Sequence, residues 1–161
     1  MKTVYLDYNS TTPLAPSVKE EMMPFLGNFF GNPSSLHQLG RKARAYLDEY
    51  RHRMAAVWQC KPSEVVFTSG ATESINLAIF GTARLLKAKG RHLITSSVEH
   101  HAVLRSFEYL VNKEGFDVSY LPVDSEGRIN PPDLENALRD DTIFVSLMAA
   151  NNEIGTIQPV S

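Results

Sequence analysis

The sequence predicts an α/β fold, a mostly parallel sheet flanked by helices. Two observations predict it. Short β-type runs alternate with helical patterns along the chain, and such alternation requires crossover connections and parallel pairing. No repeat, low-complexity tract or Gly/Ser linker breaks the pattern.

The elements follow in order. Val4-Tyr5-Leu6 is a short β-type run, and Asp7 to Pro16 is irregular, rich in Asn, Ser, Thr and Pro. Ser17 to Leu26 is helical, with Val18, Met22 and Leu26 spaced four apart and Pro24 disturbing its end. Gly27 to His37 reads as loop. From Leu39 to Gln59 the apolar positions Leu39, Ala43, Tyr46, Leu47, Tyr50, Met54, Val57 and Trp58 form one stripe. Arg41, Arg44, Asp48, Arg51 and Arg53 fill much of the opposite face, which reads as solvated, and Pro62 stops the helix. Glu64 to Thr68 is a compact β-type run. Ile75 to Lys87 is helical and apolar on nearly all sides, the pattern of a helix buried between other elements.

His92 to Ser96 is the next strand. Val103, Leu104, Phe107, Leu110 and Val111 mark a helix that Gly115 ends as C-cap. Val118 to Val123 is a strand, and Asn130 caps a helix with Pro131 in its first turn and Leu134, Ala137 and Leu138 inward. Thr142 to Met148 is a long apolar strand ending in Asn151-Asn152-Glu153-Ile154-Gly155.

Composition bounds the function. The 161 residues are 43% apolar and 21% charged, with a formal net charge of −2, as in an ordinary globular protein. That balance argues against an obligate nucleic-acid partner, which needs a basic face. No run approaches the length of a membrane span, and the first residues lack the apolar stretch of a signal peptide. Cys60 is the single cysteine, so no intrachain disulfide forms. A cytoplasmic location is the default expectation.

In open α/β sheets, ligands lie outside the carboxyl ends of the strands. That rule picks out Ser69–Glu73, Ser97–His101 and Asn151–Gly155. Ser69-Gly70-Ala71-Thr72-Glu73 runs from a β-type run into a helix. It is either a phosphate cradle of free amides and one hydroxyl or a plain strand-to-helix turn. It is neither a Walker loop nor a dinucleotide fingerprint, since the chain contains no Gly-x-Gly and no Gly-Lys-Ser/Thr. One of His100 and His101 could stack on a flat ligand or move protons, or be a hydrogen-bonded loop residue. The two are a poor metal pair, because adjacent side chains diverge. The Asn151–Gly155 stretch could offer an amide to a ligand, or be a turn. Gly31-Asn32-Pro33-Ser34-Ser35 with His37 reads equally as a site rim or a surface loop. Nothing beyond Lys61 suggests an activated thiol at Cys60.

Taken together and in order, Tyr5-Leu6-Asp7-Tyr8-Asn9-Ser10-Thr11-Thr12-Pro13, Gly31–Ser35, Phe67-Thr68-Ser69-Gly70-Ala71-Thr72-Glu73-Ser74, Glu99-His100 and Asn151–Gly155 resemble the cysteine desulfurases of iron–sulfur cluster assembly, a branch of the aminotransferase class V family. The resemblance implies the fold of pyridoxal-phosphate-dependent transferases, fold type I, incomplete in this chain. Residues 1–15 would be an N-terminal segment, and residues 16–161 the N-terminal part of the large cofactor-binding domain. It also implies that Ala71 and Thr72 hold the cofactor phosphate, that His100 stacks on the pyridine ring and moves protons, and that Asn151 helps hold cofactor or substrate. No metal is implied. The implied reaction takes sulfur from L-cysteine, leaves L-alanine, and puts a persulfide on an enzyme cysteine for a scaffold or other acceptor protein, in a homodimer.

The family places its Schiff-base lysine, an aspartate and a glutamine on the ring, a substrate-binding arginine and the nucleophilic cysteine after the Asn-Asn-Glu-Ile-Gly stretch. None of the lysines here sits in a matching motif, and Cys60 comes too early. The expectation is a piece of a longer enzyme, without desulfurase turnover on its own. The alternatives are a selenocysteine lyase and a naturally short non-catalytic relative acting as a binding or scaffold protein. An NAD- or ATP-binding domain is disfavoured by the missing glycine motifs.

Overall fold

The computed structural model describes residues 3–160. It divides into two compact units, residues up to Phe67 and residues from Thr68 onward.

The first unit is helical. Helix α1 spans Pro16–Met22 and tightens into a 3-10 turn at Met23–Leu26, where Pro24 removes a donor. Helix α2 spans Gln38–Trp58. His37 caps its start, Nδ1 accepting from the Gly40 N–H at 3.3 Å. Gly40 is required by close approach: a Cβ there would sit 2.3 Å from the Ser35 carbonyl oxygen. The Gly31–Ser35 loop is thus folded onto the first turn of α2. The helix ends at Trp58, before Pro62, where Gln59 turns left-handed (φ 53°). Most of the expected stripe is used: Ala43, Tyr46, Leu47, Tyr50 and Met54 are part-buried, and Tyr46 packs on Phe25 and Phe29 at ring distances of 5.2 and 5.0 Å. Val57 and Trp58 lie exposed. The arginine face is not uniformly solvated, since Arg51 stacks over Phe67 at 4.9 Å and donates to the Val65 carbonyl.

Two expected strands do not form. Val4–Leu6 is exposed and irregular. Pro62–Glu64 is a 3-10 turn, and Val65–Thr68 carries no strand pairing. Each run has β-type composition, but a strand is defined by a partner's hydrogen bonds, and none is in reach among the described residues.

The second unit is a three-layer α/β structure. Helix α3 is Ala71–Leu86, strand β1 His92–Ser96, helix α4 His101–Glu114, strand β2 Asp117–Leu121, helix α5 Pro131–Ala137 and strand β3 Thr142–Ser146. The three strands are parallel in the order β2-β1-β3. Leu93 pairs with Val118 and Phe144, Ile94 with Ser119 and Val145, and β3 slips by one residue between His92 and Leu93. Successive residues of a strand face opposite sides. Leu93 accordingly packs with Ile79 and Ala83 of α3, Val103, Phe107 and Leu110 of α4, and Phe116. Ile94 packs with Leu121 and Ile129, beside Leu134 and Ala137 of α5. Both faces of β1 are covered, which is why all five of its residues are buried.

Helix α3 is not buried all round. Ile79 and Ala83 are inside, whereas Leu77 and Leu85 are 54% and 81% exposed. Gly115 ends α4 in the left-handed region (φ 70°), as expected. Asn130 stands at the N-cap of α5, but its side chain makes no capping bond, and Leu138 is exposed rather than inward.

Candidate active site

The chain runs from β1 to β2 on one side and then crosses to β3 on the other, so the strand order reverses between β1 and β3. The crevice at the carboxyl ends of such a pair is where open α/β sheets bind ligands. The segment after β1 carries Glu99 and His100, and the segment after β3 carries Asn151.

His100 is the N-cap of α4, and its Nδ1 accepts from the Ala102 N–H at 3.1 Å. An accepting Nδ1 leaves the proton of the neutral ring on Nε2. One ring edge is thereby fixed to the helix, and Nε2 is left for chemistry.

Thr72 lies in the first turn of α3. Gly70 provides no side-chain cap. The Ala71, Thr72 and Glu73 amides open the helix and have no partner within it, and a Cβ on Gly70 would meet nothing within 4 Å. The carboxylate of Glu73 turns back to accept from the Ser69 amide at 2.7 Å and the Ser69 hydroxyl at 2.6 Å. Those bonds, the hydroxyl's first, hold its pKa below the usual value. The arrangement suits an anion at the helix start, where dipole and free donors add. It is not at a strand end, because Val65–Thr68 does not pair. Two of the three segments picked by the strand-end rule obey it, and this one does not.

Thr72 and His100 line one open cavity of about 420 Å³ between the N-terminal halves of α3 and α4. Asn76, Arg105, Ser106 and Tyr109 complete much of its wall. Ser106 donates to Asn76 Oδ1 at 2.8 Å, tying the two helices beneath the site. Asn76 and Ser106 escaped the sequence reading because nothing in the spacing of two helices shows which polar residues will face each other.

Asn151 is 8% exposed. Its Nδ2 donates to the Val98 carbonyl at 2.9 Å and points at Met148 Sδ at 3.4 Å. Its Oδ1 accepts from the Glu153 and Ile154 amides at 2.8 and 3.1 Å. The side chain thus joins the loop after β3 to the loop that leads into His100. Glu99, 7% exposed, makes the return connection: Oε1 accepts from the Met148 N–H at 2.6 Å and the Ser96 hydroxyl at 3.2 Å. Burial raises its pKa, against the two hydrogen bonds.

Among the described residues no group of three His, Cys, Asp or Glu side chains is placed to hold a metal ion, and no helix is long and apolar enough to cross a membrane. Cys60, partly exposed, lies in the first unit.

The described site is a parallel α/β unit in which a helix start suited to an anion and a histidine line one cavity. The comparisons give the family: residues 4–161 match the aminotransferase class-V model, and the chain belongs to that family. It is 55% identical to the cysteine desulfurase IscS of Dictyoglomus turgidum over 159 residues, 99% of this chain and 40% of the relative. It is 48% identical to the cysteine desulfurase IscS of Methanosarcina thermophila, over 99% of this chain and 39% of that one. Among solved structures, a NifS-like protein superposes with a TM-score of 0.92 at 45% identity over 98% of this chain and 43% of that one. SspA in complex with cysteine gives 0.89 at 42% identity, over 98% and 45%. The fold is therefore that of the pyridoxal-phosphate-dependent cysteine desulfurases, and the chain spans about 40% of the length of the curated relatives it matches.

Proposed function

We propose that the protein carrying this sequence is a pyridoxal-phosphate-dependent cysteine desulfurase, taking sulfur from L-cysteine to give L-alanine and an enzyme persulfide. The observation that carries the reading is the meeting of Thr72 and His100 on one cavity, in a chain whose relatives bear that name.

The residues present fit the cofactor. The Ala71 and Thr72 amides and the Thr72 hydroxyl would hold its phosphate at the start of α3. His100 offers a ring face for stacking and Nε2 for holding and returning a proton. When bound, pyridoxal phosphate supplies the electron sink for the reaction. Asn151 has one amide hydrogen on a weak sulfur acceptor, and this is the donor it can redirect to cofactor or substrate. We assign residues 16–161 to the N-terminal part of the cofactor-binding domain. A homodimer, a cytoplasmic location and a sulfur-acceptor or iron–sulfur scaffold partner complete the proposal, and the isolated 161 residues are expected to turn over no cysteine.

The test uses the full-length protein carrying this sequence. L-Cysteine should yield alanine in the presence of pyridoxal phosphate. T72V, which removes one hydrogen bond to a charged group, should weaken cofactor binding about tenfold or more. H100A should lower kcat at saturating cofactor. Absence of alanine from the full-length protein, or an unchanged cofactor Kd in T72V, would overturn the assignment.

A further inference from the structure

Among the described residues Glu99 is the only buried carboxylate. An acid in that position costs free energy unless donors hold it. Its donors come from both sides of the point where the strand order reverses: Ser96 ends β1, and Met148 follows β3. Asn151 makes the opposite link, from the β3 side to the carbonyl of Val98. Two side chains therefore cross the same gap in opposite directions, and between them they fix Val98 and Glu99, the two residues before His100. The Ala102 N–H then fixes the imidazole itself.

From this geometry we infer that Glu99 is a positioning residue for His100: its carboxylate, held by the Met148 amide and the Ser96 hydroxyl, clamps the turn that carries the imidazole to the segment after β3. The inference rests on the reading that His100 meets the cofactor. Glu99 touches neither cofactor nor substrate and acts through the place it gives the next residue. A displacement of about 1 Å at a catalytic group is enough to cost on the order of 100-fold in rate.

The test compares E99A, E99Q, H100A and the E99A/H100A double variant of the full-length, cofactor-loaded protein. Glutamine keeps an oxygen able to accept both hydrogen bonds, so E99Q should retain kcat. E99A should lower kcat about 10- to 100-fold with little change in KM. In the H100A background E99A should cost nothing further, because a misplaced ring and a missing ring fail alike. In the apo-protein, hydrogen exchange of the Ala102 and Met148 amides should quicken in E99A and not in E99Q. If E99A does not accumulate as folded protein, E99D, which keeps the charge and shortens the reach, takes its place with the same expectations. An equal factor lost in both backgrounds, or E99Q as impaired as E99A, would overturn the positioning role and leave the assignment of His100 standing. Wild-type kcat in H100A would overturn both.

Discussion

The replacement Asn151→Asp tests how the two loops are joined. It preserves shape and changes one donor into an acceptor. Oδ1 keeps its bonds from the Glu153 and Ile154 amides. The atom now donating to Val98 at 2.9 Å becomes an oxygen facing a carbonyl oxygen. Removing the donor and leaving the part-buried Val98 carbonyl unsatisfied costs about 1–3 kcal/mol. Negative charge strengthens the two retained bonds and returns about 1 kcal/mol. The carbonyl wins, and the net loss should be up to about 2 kcal/mol at neutral pH.

The pH dependence follows from the sign. A carboxylate opposed by the Val98 carbonyl has a folded pKa above the unfolded value of about 3.9, so the native state binds the proton more tightly. The stability of the variant relative to the parent is greatest below about pH 3.9 and is lost as pH rises through the raised folded value. Urea unfolding at several pH values, parent and variant side by side, measures this. Equal stability at pH 7, or a gap that widens on acidification, would refute the donor role of the amide.

Two further predictions concern the frame. His92 is fully buried, with Nδ1 on Thr142 Oγ1 at 2.7 Å and Nε2 on Ser119 Oγ at 2.8 Å. Burial and then Arg139 push its pKa below the unfolded 6.5, against Asp117 and Asp141. Its contribution to stability is therefore complete above pH 6.5 and is lost as pH falls from there through the folded value; H92Q should flatten that part of the stability profile measured by urea unfolding. Phe107, fully buried and stacked on Phe144 at 6.3 Å between centroids, should cost about 3–5 kcal/mol as F107A, read as a lowered urea midpoint with unchanged m.

Legibility in the sequence depended on what each element needs. Strands β1, β2 and β3 and helix α4 were readable because apolar spacing and a terminal glycine are properties of the segment itself. Val4–Leu6 and Glu64–Thr68 were not, because pairing belongs to a partner as much as to the run. The all-round apolar pattern of α3 suggested burial on every side, yet only the Ile79–Ala83 side is covered. At the candidate site, position at expected strand ends picked out the segments of Thr72, His100 and Asn151, and the family resemblance singled out those residues within them. Glu99 did not, although it is adjacent to His100: a carboxylate beside a histidine gives no sign that it will turn inward to reach Met148. Asn151 was legible as a candidate amide donor, but not as the link that commits most of its hydrogen-bonding capacity to two loops.

The spacing of Thr72 and His100 is set by residues that carry no chemistry. Thr72 stands two turns before Ile79, and His100 seven residues before Phe107, and both of these apolar residues belong to the cluster that also holds Ala83, Leu93 and Leu110. Packing of α3 on α4 fixes how far apart the helix starts lie, and the Ser106–Asn76 bond pins the pair at the cavity wall. The links at Glu99 and Asn151 act on the other side, holding the His100 turn to the sheet. In the proposed arrangement, a phosphate at α3 and a ring against His100 would need one distance between them, and the core cluster would then be part of the site. That is why F107A should weaken pyridoxal phosphate binding as well as folding, even at a pH and temperature where the variant remains folded.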